Sequence, residues 1–95
     1  MRTEEFKEWL ANRGIADADA IIRYCTNGEK VYCGGDIDAQ FRKDGLKVMI
    51  HRAREFLVEK DGASYIAPVI KARMRDAIKA VELYQEFSEQ NTIVE

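Results

Sequence analysis

Ninety-five residues, 34% of them charged and 46% apolar, with one proline and six glycines, describe one small water-soluble helical domain spanning 1–95. A chain of this size and polarity excludes a second catalytic domain, and its longest apolar runs, such as Ile66-Ala67-Pro68-Val69-Ile70, are too short to cross a bilayer. The net charge of −2 conceals an uneven distribution: residues 1–41 hold five basic and eight acidic side chains, residues 42–79 hold ten and five, and residues 80–95 hold four glutamates and no base. Positive charge is concentrated in the middle of the chain.

The first residues, Met1-Arg2-Thr3-Glu4-Glu5-Phe6, enter a charged amphipathic pattern directly, without the apolar stretch of a signal peptide. A cytoplasmic location is therefore expected. Thr3 is placed to cap a first helix over about residues 4–13, with Glu4 and Glu5 suiting its positive end. Phe6, Trp9 and Leu10 follow at helical spacing, and Gly14 supplies the stop.

Asp17 is expected to cap the second helix, in which Ala18, Ile21, Ile22, Cys25 and Tyr32 recur at three- and four-residue steps. Glu29 is a polar exception in that stripe. Gly28, a residue costing roughly 1 kcal/mol relative to alanine inside a helix, marks a kink or a close helix contact. Gly34-Gly35 ends the segment. A short helical turn capped by Asp36 follows and closes near Asp44-Gly45.

Leu46, Met49, Ile50, Ala53, Phe56 and Leu57 form the clearest apolar stripe of the chain, and Lys47, His51 and Arg54 share its polar side. Asp61-Gly62 closes this helix. The last helix is predicted to begin near Ala67, with Pro68 in its first turn, where the missing N–H is harmless. Ile70, Met74, Ala77, Ile78, Val81, Tyr84 and Phe87 supply its buried face, and it ends about Ser88, leaving residues 89–95 as a flexible tail. The expected fold is all-α: a compact bundle of four main helices plus a short helical turn, with no strand pattern and no internal repeat.

Few residues invite chemistry. Cys25 and Cys33 read as buried free thiols, and His51 lacks the neighbouring ligands that a metal site needs. His51-Arg52-Ala53-Arg54 spells a literal H-x-x-R, but no further arginine–histidine–tyrosine set accompanies it. Gly34-Gly35-Asp36 lacks the preceding strand and the lysine of a phosphate-cradling loop. The carboxylate pairs Asp17/Asp19 and Asp36/Asp38 stand where helix starts need caps. Tyr65 is the aromatic expected to be partly exposed. Neither catalytic residues, nor a metal, nor a cofactor is expected.

The basic residues carry more. Lys71, Arg75 and Lys79 lie at successive four-residue steps, and Lys47 and Arg54 add charge from the preceding helix. Cations aligned in this way can follow a phosphate backbone, although a solvated helix face would look the same.

Phe6-Lys7-Glu8-Trp9-Leu10, then Gly14, then Ala20-Ile21-Ile22-Arg23-Tyr24 resembles the opening of the SAM-like helical core-binding domain of phage integrases (tyrosine recombinases). Gly35-Asp36-Ile37-Asp38, the Leu46–Leu57 helix and Ala77–Phe87 extend the likeness to the N-terminal module of some restriction and HNH endonucleases. The resemblance implies a stand-alone DNA-clamping helical module from a phage or other mobile element. It implies no enzymatic activity, because the catalytic domain of either family is absent, and His51 and Arg54 inherit no catalytic role. Two partner classes stay open: DNA, contacted through Lys47, Arg54, Lys71, Arg75 and Lys79, or a protein, in which case the chain is an adaptor or inhibitor. In the protein case the basic face would dock on an acidic surface, or a second copy would complete a homodimer.

Overall fold

The computed structural model describes residues 1–61 and 68–90, and those residues form five helices and no strand. They are α1 (Thr3–Asn12), α2 (Ala18–Tyr32), α3 (Ile37–Asp44), α4 (Lys47–Asp61) and α5 (Pro68–Gln90). The all-α class and the count of four main helices plus a short one are as the sequence predicts. Tyr65 and residues 91–95 of the expected tail lie outside the described residues. Glu89 and Gln90, also assigned to that tail, are helical.

The long α5 touches each of the other four helices and forms the axis of the fold. Its buried residues Ile78, Ala80, Val81, Tyr84 and Phe87 meet a different partner on each side. On one side lies an aromatic nest in which Phe6 of α1 is fully buried, its ring centroid 4.9 Å from Tyr84 and 5.3 Å from Phe87. On the other side Leu46, Met49 and Ile50 bring α4 into the same core. The buried thiol of Cys25 in α2 donates to the carbonyl of Ala80 at 3.3 Å.

Local signals set most of the boundaries. The Asp36 carboxylate accepts from the backbone N–H of Ala39 at 2.9 Å, the expected cap of α3. Gly45 ends α3 at φ 69°, a left-handed conformation that glycine adopts without strain. The Asp44 carboxylate then accepts from the N–H groups of Leu46 and Val48 and covers the start of α4.

Two expected caps do not form. Thr3 is already inside α1, and the Arg2 position before it supplies no side-chain cap. The chain start is instead drawn towards α5, where the N–H of Arg2 donates to the Tyr84 hydroxyl at 3.0 Å. Asp17 precedes α2 as expected, but at φ 60° its carboxylate bonds no helix N–H.

Gly28 is a close helix contact rather than a kink, since α2 runs unbroken through it. A Cβ built there would lie 2.7 Å from the Met49 terminal methyl and 3.6 Å from Val81. Alanine can displace that flexible methyl and gains helix propensity, so Gly28→Ala is expected to stay within about 1 kcal/mol of the wild type. Gly28→Leu is expected to cost about 1–3 kcal/mol by wedging α2 from α4 and α5. Urea unfolding of the two variants measures both values.

Candidate functional site

Lys47 and Arg54 stand two helical turns apart on α4 and, with His51 and with Gln85 of α5, line one concavity of about 300 Å³. The Arg54 guanidinium reaches across to the Glu82 carboxylate of α5 at 2.8 Å. Glu82 follows Lys79 by three residues and continues the row of Lys71, Arg75 and Lys79. The contact therefore sets Arg54 at the Lys79 end of the α5 row, with Lys47 farther along beside Gln85, a placement that the sequence leaves open. Lys47, Arg54, Arg75 and Lys79 are exposed and Lys71 is partly buried.

Two carboxylates in this face were not legible as part of it. One is Glu82, and the other is Glu55, whose Oε1 lies 2.9 Å from His51 Nε2. His51 and Glu55 are four residues apart, the spacing at which helical side chains meet. His51 and Arg54 are thus engaged with carboxylates and do not form a bare phosphate-holding pair.

A second feature arises where the predicted core fails to close. Phe56 and Ile70, both assigned to buried stripes, are 46% and 47% exposed. The cause is geometric: α2 and α4 each pack on α5 more extensively than on one another. They leave between them an apolar groove of about 320 Å³, walled by Val31, Met49, Phe56, Ile70, Met74 and Ile78 among others.

A third cluster gathers the charged groups nearest the core. The Met1 amino group lies 3.3 Å from Glu29 and 3.4 Å from Asp38. Tyr84 donates to Asp38 at 2.6 Å, and Arg2 Nε lies 3.4 Å from the same carboxylate. Glu29, the polar exception of the α2 stripe, also accepts from the N–H of Ile37 at 2.9 Å. Desolvation raises the Asp38 carboxyl, but the Tyr84 hydrogen bond and the charges of Met1 and Arg2 outweigh it and hold the group below its ordinary value. Burial pulls the Met1 amine down, and Glu29 and Asp38 more than restore it, so its affinity for a proton is raised. No buried side-chain polar atom among the described residues lacks a partner, so this cluster is a structural tie between α2, α3 and α5.

Both cysteines are free, as expected, but only Cys25 is fully buried. Burial, with Glu29 nearby, pushes the Cys25 thiol up to about 12. The half-buried Cys33, 3.4 Å from the Met49 sulfur, is pushed up to about 11 by burial and by Glu29, Asp44 and Asp36. Neither supplies a thiolate nucleophile at neutral pH. Among the described residues no three metal-ligating side chains come together, and no helix is long and apolar enough to cross a membrane.

The chain matches no protein-family model, no curated protein and no solved structure.

Proposed function

We propose that this protein is a non-enzymatic helical binding module that contacts nucleic-acid backbone, DNA in the first instance, through the α4–α5 side. The observation that carries the reading is the Arg54–Glu82 contact, which brings Arg54 of α4 to the Lys79 end of the row of Lys71, Arg75 and Lys79 on α5, with Lys47 two turns away along α4 beside Gln85.

The placement of these cations along their helices supports the same reading. A helix N-terminus carries partial positive charge and favours acidic side chains, by about 0.3–1 kcal/mol each. Neither α4 nor α5 has an acidic residue in its first turn. Lys47 opens α4, and Lys71, Arg73 and Arg75 occupy the first turns of α5. At α5 a bound anion is favoured by the helix dipole that Lys71 opposes, whereas the start of α4 is already covered by the Asp44 carboxylate. Phosphates held in this way position a protein without reading sequence.

The resemblance to the integrase core-binding module, and with it an origin in a phage or mobile element, belongs to this proposal and agrees with it in kind. Two free thiols fit a reducing cytoplasm.

The test is a titration of the full chain against a labelled random-sequence duplex at low salt, beside Lys71→Ala/Arg75→Ala/Lys79→Ala. Binding that weakens at least about ten-fold in the variant, with thermal stability unchanged, supports the reading. A wild-type chain that does not bind at low salt contradicts it. One observation favours a second reading, an acidic protein surface on this same face: Arg54 and His51 already hold carboxylates. Loss of DNA binding in the titration would leave that reading in its place.

A further inference from the structure

We infer that the groove between α2, α4 and α5 is a docking site for an acidic amphipathic helix of a partner protein. The proposal is independent of the nucleic-acid reading, because it concerns a different face of α4 and α5.

The groove has the shape of a helix seat. Its walls are α2 and α4 and its floor is the first half of α5, from Ile70 to Val81. That stretch rises about 16 Å, three turns of helix, the length over which a bound helix sets anchors at i, i+3, i+4 and i+7. Met49, wedged against Gly28 and close to Val81, fills the space where the three helices approach. Away from that wedge the lining opens to solvent: Val31 is 72% exposed, and Phe56 and Ile70 are each nearly half exposed. These are residues whose burial stabilises a fold by about 1.5–3 kcal/mol each, and the described chain leaves that gain to a partner.

The charge around the groove selects the occupant. Among the described residues, no carboxylate lines it and Arg73 is the charged member of the lining. Arg52 of α4 stands on the far flank, in a neighbouring hollow whose charged members are Arg52, Lys43 and Asp44. An apolar helix entering this groove therefore meets Arg73 and no carboxylate in the described lining, and carboxylates beside its apolar stripe are favoured there over cations. A second copy of the chain fits poorly. Its most acidic helix, α1, keeps Phe6 and Leu10 fully buried and has no comparable apolar stripe to offer.

The test uses two synthetic peptides of about four turns, each with leucines at i, i+3, i+4 and i+7, one with glutamates and the other with lysines at the flanking positions. Binding of the labelled peptides to the full chain is followed by fluorescence anisotropy, beside Ile70→Glu and Arg73→Glu. Both substituted positions are exposed, and far-ultraviolet circular dichroism verifies that the variants fold. The expected result is saturable binding of the acidic peptide, at least about ten-fold tighter than the lysine peptide. Ile70→Glu should abolish that binding, and Arg73→Glu should remove the preference for the acidic peptide. Absence of binding, equal binding of the two peptides, or acidic-peptide binding unaffected by Ile70→Glu would each overturn the proposal. So would a concentration-dependent dimer split by Ile70→Glu, which would assign the groove to a second copy.

Discussion

Replacing Phe6 with alanine is expected to lower the unfolding free energy by about 3–5 kcal/mol, the range for a fully buried aromatic cut back to a methyl group. Phe6 is completely buried and its ring meets three others: Trp9 at 6.0 Å, Tyr84 at 4.9 Å and Phe87 at 5.3 Å. Those rings come from α1 and α5 alone, so the cavity would open where the chain start is held to the axis of the fold. The Trp9–Phe87 ring contact at 5.8 Å remains, but the polar ties between α1 and α5 add little. Arg13 pairs with Glu86 and Trp9 donates to Gln90, but both contacts are exposed and such pairs contribute about 0–1 kcal/mol. A domain this small has roughly 5–10 kcal/mol of stability in total, so Phe6→Ala should be largely unfolded at moderate urea. A shift in the urea midpoint equivalent to less than about 1 kcal/mol would show that the aromatic nest is not the centre of the core.

Removal of the Asp38 carboxylate is the second large effect. Asp38→Ala is expected to cost about 2–3 kcal/mol at neutral pH, because it takes the acceptor from Tyr84 and one of the anionic partners from Arg2 and the Met1 amine, which keeps Glu29. Tyr84→Phe, which leaves the carboxylate and its two cations in place, should cost about 1 kcal/mol.

The same cluster fixes a pH dependence on both sides of neutrality. The Asp38 carboxyl is lowered in the fold, so its contribution is complete above the ordinary carboxylate value of 3.8 and is lost as the pH falls through the lowered value. The Met1 amine is raised, so its contribution is complete below the ordinary 8.0 and is lost as the pH rises through the raised value. Urea unfolding across this range should show the acid-side loss in the wild type and a much weaker one in Asp38→Ala. An identical acid limb in both would show that Asp38 carries no linkage.

The contrast between these residues shows what local pattern can and cannot reveal. Helix periods are written in nearest neighbours, so the stripes containing Phe6, Leu10, Cys25, Ile50, Val81 and Tyr84 located α1, α2, α4 and α5 to within a few residues. Asp36 and Gly45, whose roles are set within a turn, were legible for the same reason. Glu29 was readable only as an exception to its stripe. Its partners, the Met1 amine and the N–H of Ile37, come from other elements and no spacing rule reaches them.

Phe56 and Ile70 show the converse limit. Each sits correctly in an apolar period, yet burial depends on whether two helices meet over the third, and here α2 and α4 pack on α5 more than on one another. The basic face was half legible. Four-residue spacing aligned Lys71, Arg75 and Lys79, whereas the carboxylate of Glu82 between that row and Arg54 emerged only when α4 was set against α5. Thr3 and Asp17 were suitable caps by residue type, and the backbone around each took another course.

The most direct measurement of the nucleic-acid reading is the salt dependence of duplex binding. Each phosphate neutralised releases condensed counterions, so five contacts from Lys47, Arg54, Lys71, Arg75 and Lys79 predict a log–log slope of about −4 to −5 for the wild type. Affinity should then fall by a few hundred-fold between about 50 and about 200 mM salt. The Lys71→Ala/Arg75→Ala/Lys79→Ala variant should retain a slope shallower by about three. A wild-type slope near zero, or one unchanged in the variant, would contradict a phosphate-tracking face on α4 and α5.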